Sequence, residues 1–526
     1  MRSRIRRMNR GRDAAAGRHA VLAAIARREW VLQMLALGAA GCRGEDRAYS
    51  RMSTVVVPYP YDHHALSPWE DETPKFLMFL PLVGRDARGN LEGRLADRWE
   101  HSADYREWTY RLRSDVRWHD GVPVTARDIE FTAALTRQMV DSSVGDLGLV
   151  TVVDERTVKI RHRAEGEPTW WAVYYPKHLL QGLDLATWHD WDYWRQPVGN
   201  GPYRFVRYQP GTMMELEANP DYYRGKPRIE RVVLRFFTQR NTLTELLAGA
   251  VDVITAADAT EIPRIAADPR FRVYQGYQGF SHDAIYWRND DPLFRDRRVR
   301  LALTLAINRR ELAGVLNFPV NLPIFDGPHT VDQIRRGDVP EALPHDPVRA
   351  KRLLDEAGWR IADGDGIRQR DGRPFHFSAL TAGPGQTRQA VYVQGQLRSI
   401  GVAMDIQPFE GGGLVRERML SRDFEAAFLA FQPRPQWLQQ LFGKDSPVGY
   451  ANADVIRLTE QWKITSDPEQ LDHVQREIAE IFRSDLPVTF LFPSVVTTFA
   501  HRRIHGLSSP WRVDLFESID DLSIEN

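Results

Sequence analysis

The chain has 526 residues, more than one hydrophobic core usually serves, so two or more lobes are expected. Its 70 Lys+Arg balance 70 Asp+Glu, which excludes the basic excess a nucleic-acid partner would draw on. One cysteine, Cys42, excludes an internal disulfide framework and a cysteine zinc cluster.

The arginine-rich N-terminus leads into REWVLQMLALGAAGC, where Trp30 to Ala40 is apolar apart from Gln33. That run is too short to span a bilayer and suits the apolar region of an export signal. Arg27-Arg28 directly before it resembles a twin-arginine signal, and GAAGC resembles a lipoprotein cleavage box. Residues 1–42 therefore read as an export signal, with Cys42 as the acylated first residue of a soluble or tethered mature protein.

STVVVPYPYD reads as a β-branched strand running into a Pro/Tyr loop that holds Tyr59, Tyr61 and His63. EWTYRLRSDVRWHDG alternates Trp108, Tyr110 and Leu112 with polar residues and turns at Asp120-Gly121. TARDIEFTAAL opens a helix with Thr125 as its cap and Asp128 three residues on. ERTVKIRHR and IERVVLRFF alternate as strands, and FRDRRVRLALTLAINRREL reads as one helix capped by Asp296. Two Asp-Pro openings, at Asp346 and Asp467, start two further helices. Between them, tight Asp/Gly turns join strands, and GQLRSIGVAMDIQPF passes from helix through Gly401 into strand. No repeat of 20 to 50 residues appears. The pattern is that of a multi-lobed, mixed α/β exported protein.

Signs of catalysis are missing. The sequence carries no H-E-x-x-H, no G-x-S-x-G, no phosphate-cradling Gly-Lys loop and no dinucleotide fingerprint. No cofactor is expected. His63-His64 points to two faces of an extended segment, so no metal site is expected there either. An enzyme is not expected.

Several stretches in order resemble the family-five extracellular solute-binding proteins, receptors of ABC importers for peptides, nickel and related solutes. They are LADRWEHSADYREWTYRLRSDVRWHDGVPVTARDIEFT (Leu95 to Thr132), VGNGPYRFVRYQPGTMMELEANPDYYRGKPRIERVVLRF (Val198 to Phe236), PLFRDRRVRLALTLAINRREL, AKRLLDEAGW, GQLRSIGV and LPVTFLFP. The resemblance implies an α/β periplasmic-binding-protein-like fold of two lobes (type II, cluster C) with an extra subdomain in the first lobe. Lobe one would comprise 50–93, 197–276 and 487–526, the subdomain 94–196, and lobe two 277–486. It also implies capture of a small solute by lobe closure and delivery to permease subunits in the inner membrane, by a protein that is monomeric and periplasmic. A peptide is the family's commonest solute; a nickel or haem carrier and an exported hydrolase stand as lesser alternatives.

Within AFQPRPQW, Ala430 to Trp437, the prolines predict a stiff non-helical loop around Arg434. In peptide-carrying members a glycine-tryptophan pair ends the corresponding strand, and an aspartate three residues after that tryptophan meets the ligand's α-ammonium. Here Ala430 and Phe431 stand for the pair and Arg434 for the aspartate, a reversal of charge. A guanidinium fork suits carboxylate, phosphate or vicinal hydroxyls, and Phe431 and Trp437 are placed to stack on a sugar or planar solute. An anionic or polyhydroxylated solute follows, such as an opine, a sugar conjugate or an acidic peptide derivative. The competing expectation pairs Arg434 with Glu425 or Asp445, away from ligand. Tyr59, Tyr61, His63 and Trp287 are further candidates for the cleft wall.

Overall fold

The computed structural model describes residues 53–525 apart from 60–74, 86–90, 103–105, 140–147, 162–171, 185–186, 188–190, 237–241, 256–257, 362–363, 365, 466 and 510–518. The chain divides into two units, Met1–Thr54 and Val55–Asn526, and the second carries the fold. The export-signal and Cys42 expectations, and Tyr61 and His63, lie outside the described residues.

The N-terminal lobe is built on a four-stranded antiparallel sheet in the order Thr54–Tyr59, Arg231–Phe236, Met213–Ala218, Tyr203–Gln209. A second four-stranded sheet orders Ala96–His101, Glu107–Leu112, Thr157–Arg161 and Leu149–Asp154. Helix Ala126–Met139 lies against it, and the Asp128 carboxylate takes the Thr125 N–H at 2.8 Å, so the return half of the expected capping box forms. Both sheets feed one continuous hydrophobic core that includes Trp108, Tyr110, Trp118, Tyr203 and Leu216.

G-N-G-P-Y, part of the resemblance, is a packing device here. The N–H groups of Asn200 and Gly201 both donate to the Met78 carbonyl, at 2.8 and 2.7 Å, and Asn200 Oδ1 accepts from Leu80 N at 2.9 Å. A Cβ on Gly199 would stand 1.9 Å from that Met78 oxygen, so only glycine admits the approach. The Asn-Pro-Asp-Tyr element works alike. Asn219 bonds the Gly201 carbonyl at 3.1 Å, and Tyr222 reaches Asp520 near the C-terminus at 3.1 Å.

The C-terminal lobe surrounds a six-stranded mixed sheet ordered Val253–Ile254, Val488–His501, Phe271–Trp287, Ala426–Phe431, His376–Ala382, Ala403–Phe409. Its two core clusters flank the sheet. One gathers Ile285, Trp287, Phe294 and Phe377; the other gathers Tyr286, Phe431, Phe442 and Phe482. Asp296, Asp346 and Asp467 each cap the helix they were expected to open. One expected helix is instead two, Arg297–Ala306 and Arg309–Val315. The break falls at Asn308, whose Oδ1 accepts from Glu311 N at 3.1 Å, because an asparagine side chain competes with the helix for backbone donors.

Two strands of this sheet are unusually long: Phe271–Trp287 has 17 residues and Val488–His501 has 14. They pair antiparallel over most of their length and run from one lobe into the other. Phe271 and Phe499 pack at the N-terminal lobe, whereas Ile285, Trp287, Val488 and Phe490 pack in the C-terminal cores. Midway the register breaks. Tyr277 faces Val495 and His282 faces Pro493, so residues 278–281 stand opposite Ser494 alone. Extra residues of this kind bend a ladder, and Pro493, which has no N–H to give, sits where the ladder is already interrupted. This irregularity, called the hinge region below, lies where the two long strands pass between the two ends of the molecule.

Candidate functional site

The structure sorts the expected wall residues into core and surface. Trp287 is fully buried; its indole N–H donates to Thr489 Oγ1 at 3.0 Å, and its ring meets Phe294 at 5.2 Å. Phe431 is also fully buried, with ring neighbours Phe490 at 5.0 Å and Tyr286 at 6.0 Å. Trp437 donates to the Tyr286 hydroxyl at 3.0 Å and carries the Arg416 guanidinium over its ring at 4.9 Å. Tyr59 lies in the core of the N-terminal lobe, 6.5 Å from the ring of Phe236. All four lie in the cores, as large aromatics bury the most apolar area. So enclosed, they offer little face to a stacking solute.

The segment itself also differs from expectation. Pro435 begins a helix, Pro435–Phe442, at its first position, where the missing N–H would have had no partner in any case. Arg434 is the residue before it, extended and exposed, while Phe431 and Trp437 on either side turn inward. Strand and helix thus bring the three close in sequence without assembling them on one surface. Glu425, one of the acids considered for Arg434, accepts a backbone hydrogen bond from Ser378 at 2.7 Å.

The polar group at the hinge is one that was not anticipated. Asp283 lies between two register shifts, one before His282 and one before Ala284, and pairs with Ala430 across the sheet, four residues before Arg434. It is 8% exposed. Its two oxygens accept from Gln389 Nε2 at 2.5 Å and from Ser494 Oγ at 2.8 Å. Ser494 belongs to the other hinge strand, and Gln389 to helix Pro384–Ser399 of the C-terminal lobe. Both donors are neutral, and among the described residues no Lys, Arg or His pairs with this carboxylate. Burial pushes its pKa above the ordinary carboxylate range, while the two hydrogen bonds pull the other way. Beside it Gln389 Oε1 is buried and has no donor. Two buried acceptors, one of them a carboxylate, thus lack a cationic donor at the point where the lobes join. A signal existed in the sequence: an aspartate set among Ala284, Ile285 and Trp287 of a strand that reads as buried.

His282, one residue earlier, faces the opposite side of the strand. Its ring nitrogen Nε2 donates to the His329 carbonyl at 2.5 Å, between the rings of Phe325 and Phe490. Burial lowers its pKa to about 4, so it is neutral at physiological pH. Among the described residues no group of three or more His, Cys, Asp or Glu is arranged to hold a metal ion. A shallow hollow bounded by Phe131, Arg137, Val150 and Lys177 lies in the small four-stranded subdomain, on a different sheet from the hinge. No described helix is long and apolar enough to cross a membrane.

Known proteins match this arrangement over most of its length. A sequence model described as bacterial extracellular solute-binding proteins, family 5 Middle, matches residues 90–446. The oligopeptide-binding protein AppA of Bacillus subtilis is 26% identical over 444 residues, covering 79% of this chain and 80% of that protein. Among solved structures, the ABC transporter substrate-binding protein CtaP of Listeria monocytogenes superposes with a TM-score of 0.75 at 21% identity, over 90% of this chain and 99% of that one. NikZ of Campylobacter jejuni, solved in complex with Ni(L-His), gives 0.71 at 20% identity over the same shares. The structural likenesses establish a two-lobed periplasmic-binding-protein fold, and the family is one of binding proteins rather than enzymes. The chain belongs to the family-five bacterial extracellular solute-binding proteins, and it is a solute-binding receptor of an ABC importer.

Proposed function

We propose that the solute is a short peptide or related amino compound carrying both an ammonium and an anionic group, held between the lobes beside the hinge. The observation that carries this reading is Asp283, a buried carboxylate with neutral donors only, placed where closure would desolvate a bound molecule. An ammonium supplies the charge and the N–H donors that Asp283 and Gln389 Oε1 lack. Arg434, exposed near the same end of the neighbouring strand, receives the anionic end. The similarity to an oligopeptide-binding protein supports the same class, and it absorbs the anionic expectation without a sugar platform.

The chain releases its solute unchanged. Lobe one takes in 50–93, 197–276 and 487–526, the subdomain 94–196, and lobe two 277–486; closure over solute creates the surface that the permease recognises. Residues 1–42 direct export, by a twin-arginine route, to the periplasmic side, and Cys42 carries a lipid anchor.

Mass spectrometry of the material that co-purifies with the native protein tests the solute class, followed by calorimetry with the compound identified. Asp283→Asn and Arg434→Ala are each expected to weaken binding at least about tenfold, the usual scale for losing a charge-assisted contact. A bound neutral sugar, or titrations that neither substitution changes, would overturn the assignment.

A further inference from the structure

The hinge strands are not the only connection between the lobes. Asp258, on the N-terminal lobe, caps the single turn Ala259–Glu261, its Oδ1 accepting from Thr260 N at 3.0 Å. The same carboxylate meets Arg388 of helix Pro384–Ser399 on the other lobe, Nη2 to Oδ1 at 3.0 Å and Nη1 to Oδ2 at 3.2 Å. This is a two-pronged guanidinium–carboxylate pair, the most directional ion pair a protein makes. One residue on, the Ala259 carbonyl accepts from Asn317 Nδ2 at 3.2 Å. The Asn317 carbonyl in turn accepts from Gln275 Nε2 at 2.9 Å, on the first half of the hinge strand. Asn317 holds φ at +56°, a conformation that asparagine tolerates better than most residues. Its neighbour Phe318 sets its ring edge-on to Phe492 at 5.2 Å, which roots this loop in the C-terminal lobe.

Two separate elements of one lobe therefore converge on Asp258-Ala259 of the other. The side chains of Arg388 and Asp258 are 38% and 45% exposed. A pair that open to water adds little to folding stability. It acts instead on the balance between lobe arrangements, because each arrangement either makes the contact or breaks it. Arg388 also adjoins Gln389, so successive residues of one helix reach the opposite lobe and the hinge carboxylate.

We propose that Asp258, Arg388 and Asn317 form a closure clasp, made when the lobes come together and broken when they part. Salt and substitutions outside the solute site then tune the closed population, and through it the apparent affinity. The inference rests on the two-lobed receptor and needs no assumption about the solute.

Interlobe distance distributions test it without ligand, using spin labels at Leu149→Cys and Val348→Cys in a Cys42→Ser background. These positions are 58% and 78% exposed and lie on the subdomain and the second lobe. Arg388→Glu is expected to lower the closed-to-open ratio about two- to fivefold at low salt. Raising salt toward about 1 M should do the same to the wild type. The exchanged pair Asp258→Arg with Arg388→Asp should recover much of the loss. Asn317→Gly, which keeps the backbone conformation, should shift the ratio in the same direction even if the charge variants fold poorly. Distributions that match the wild type in Arg388→Glu or Asn317→Gly and do not respond to salt would show contacts that persist in every arrangement, and would overturn the clasp.

Discussion

Asp520, whose side chain is 7% exposed, and Asp283, buried in its strand, are both enclosed carboxylates, yet the chain treats them in opposite ways. Asp520 accepts from Arg94 at 3.2 Å, Arg224 at 2.9 Å and the Tyr222 hydroxyl at 3.1 Å. Those contacts fasten the C-terminal segment to the N-terminal lobe and match the carboxylate with full positive charge. Asp283 has an amide and a hydroxyl. The first arrangement serves folding. The second leaves a buried carboxylate with neutral partners only, and its ionised form is tolerable only where something else supplies the cation or the proton.

The largest contrast should come from deleting the compensated group. Asp520→Ala takes a charged acceptor from Arg94, Arg224 and Tyr222 together and leaves Arg94, whose side chain is 11% exposed, with Glu92 alone at 3.2 Å. A loss of about 3–5 kcal/mol is expected, read as a lower denaturant midpoint with unchanged solute specificity. A loss below about 1 kcal/mol would mean that the arginines find water easily and that the cluster is not the glue described here.

Next in size is the acid response of the hinge strand. His282 has a folded pKa of about 4, below its unfolded value, so its contribution is present above about 6.5 and is lost as pH falls toward 4. About 3 kcal/mol is at stake for this one buried group, and His329, also lowered to about 4, acts in the same direction. Asp283 has the opposite sign. Its folded pKa is raised, so its favourable share is complete below the unfolded value near 3.9 and is lost as pH rises through the folded one. Thermal melts from pH 7 to 4 should show falling stability in the wild type and a shallower fall in His282→Gln. Parallel curves would place the acid sensitivity elsewhere.

Asp283→Asn reverses the usual effect of a buried substitution. It keeps the shape and removes the burial cost of the ionised form, so where the wild-type carboxyl is ionised stability should hold or rise by about 1 kcal/mol, while solute binding weakens. The gain should vanish in acid, where the wild-type carboxyl is itself protonated. A clear loss of stability at pH 7 would assign Asp283 to structure, alongside Asp520.

The two carboxylates also mark how far sequence reading reaches. Features that the backbone demands were legible: the Asp-Pro helix starts and the Gly401 turn. Each depends on a residue type that only one local geometry needs. The same motifs carried the family resemblance, which is why fold and receptor class were readable. The burial of the wall candidates was not. Alternation along Ala426–Phe431 gives two faces but not which of them meets a core, and Phe431 goes inward. Proline in Q-P-R-P-Q broke the chain as expected on one side and opened a helix on the other. Asp283 was within reach, because a charge inside a buried strand needs an explanation, but its donors come from residues 106 and 211 positions away. No local pattern links them.

The smallest effect on stability belongs to Arg434. Exposed at the helix entrance, with its backbone carbonyl accepting from Leu438 N at 3.0 Å, it should tolerate alanine at a cost of about 1 kcal/mol or less. Solute affinity should nevertheless fall, and Arg434→Lys should restore it only in part, since an ammonium keeps the charge but not the planar fork. Set beside Asp283→Asn, this separates the two ends of the bound molecule. A solute analogue lacking its anionic group should bind wild type and Arg434→Ala equally while still discriminating against Asp283→Asn. If the analogue distinguishes neither variant from the wild type, the hinge carboxylate and the arginine do not share a ligand, and the contrast between the two buried acids would have to be explained by the proton alone.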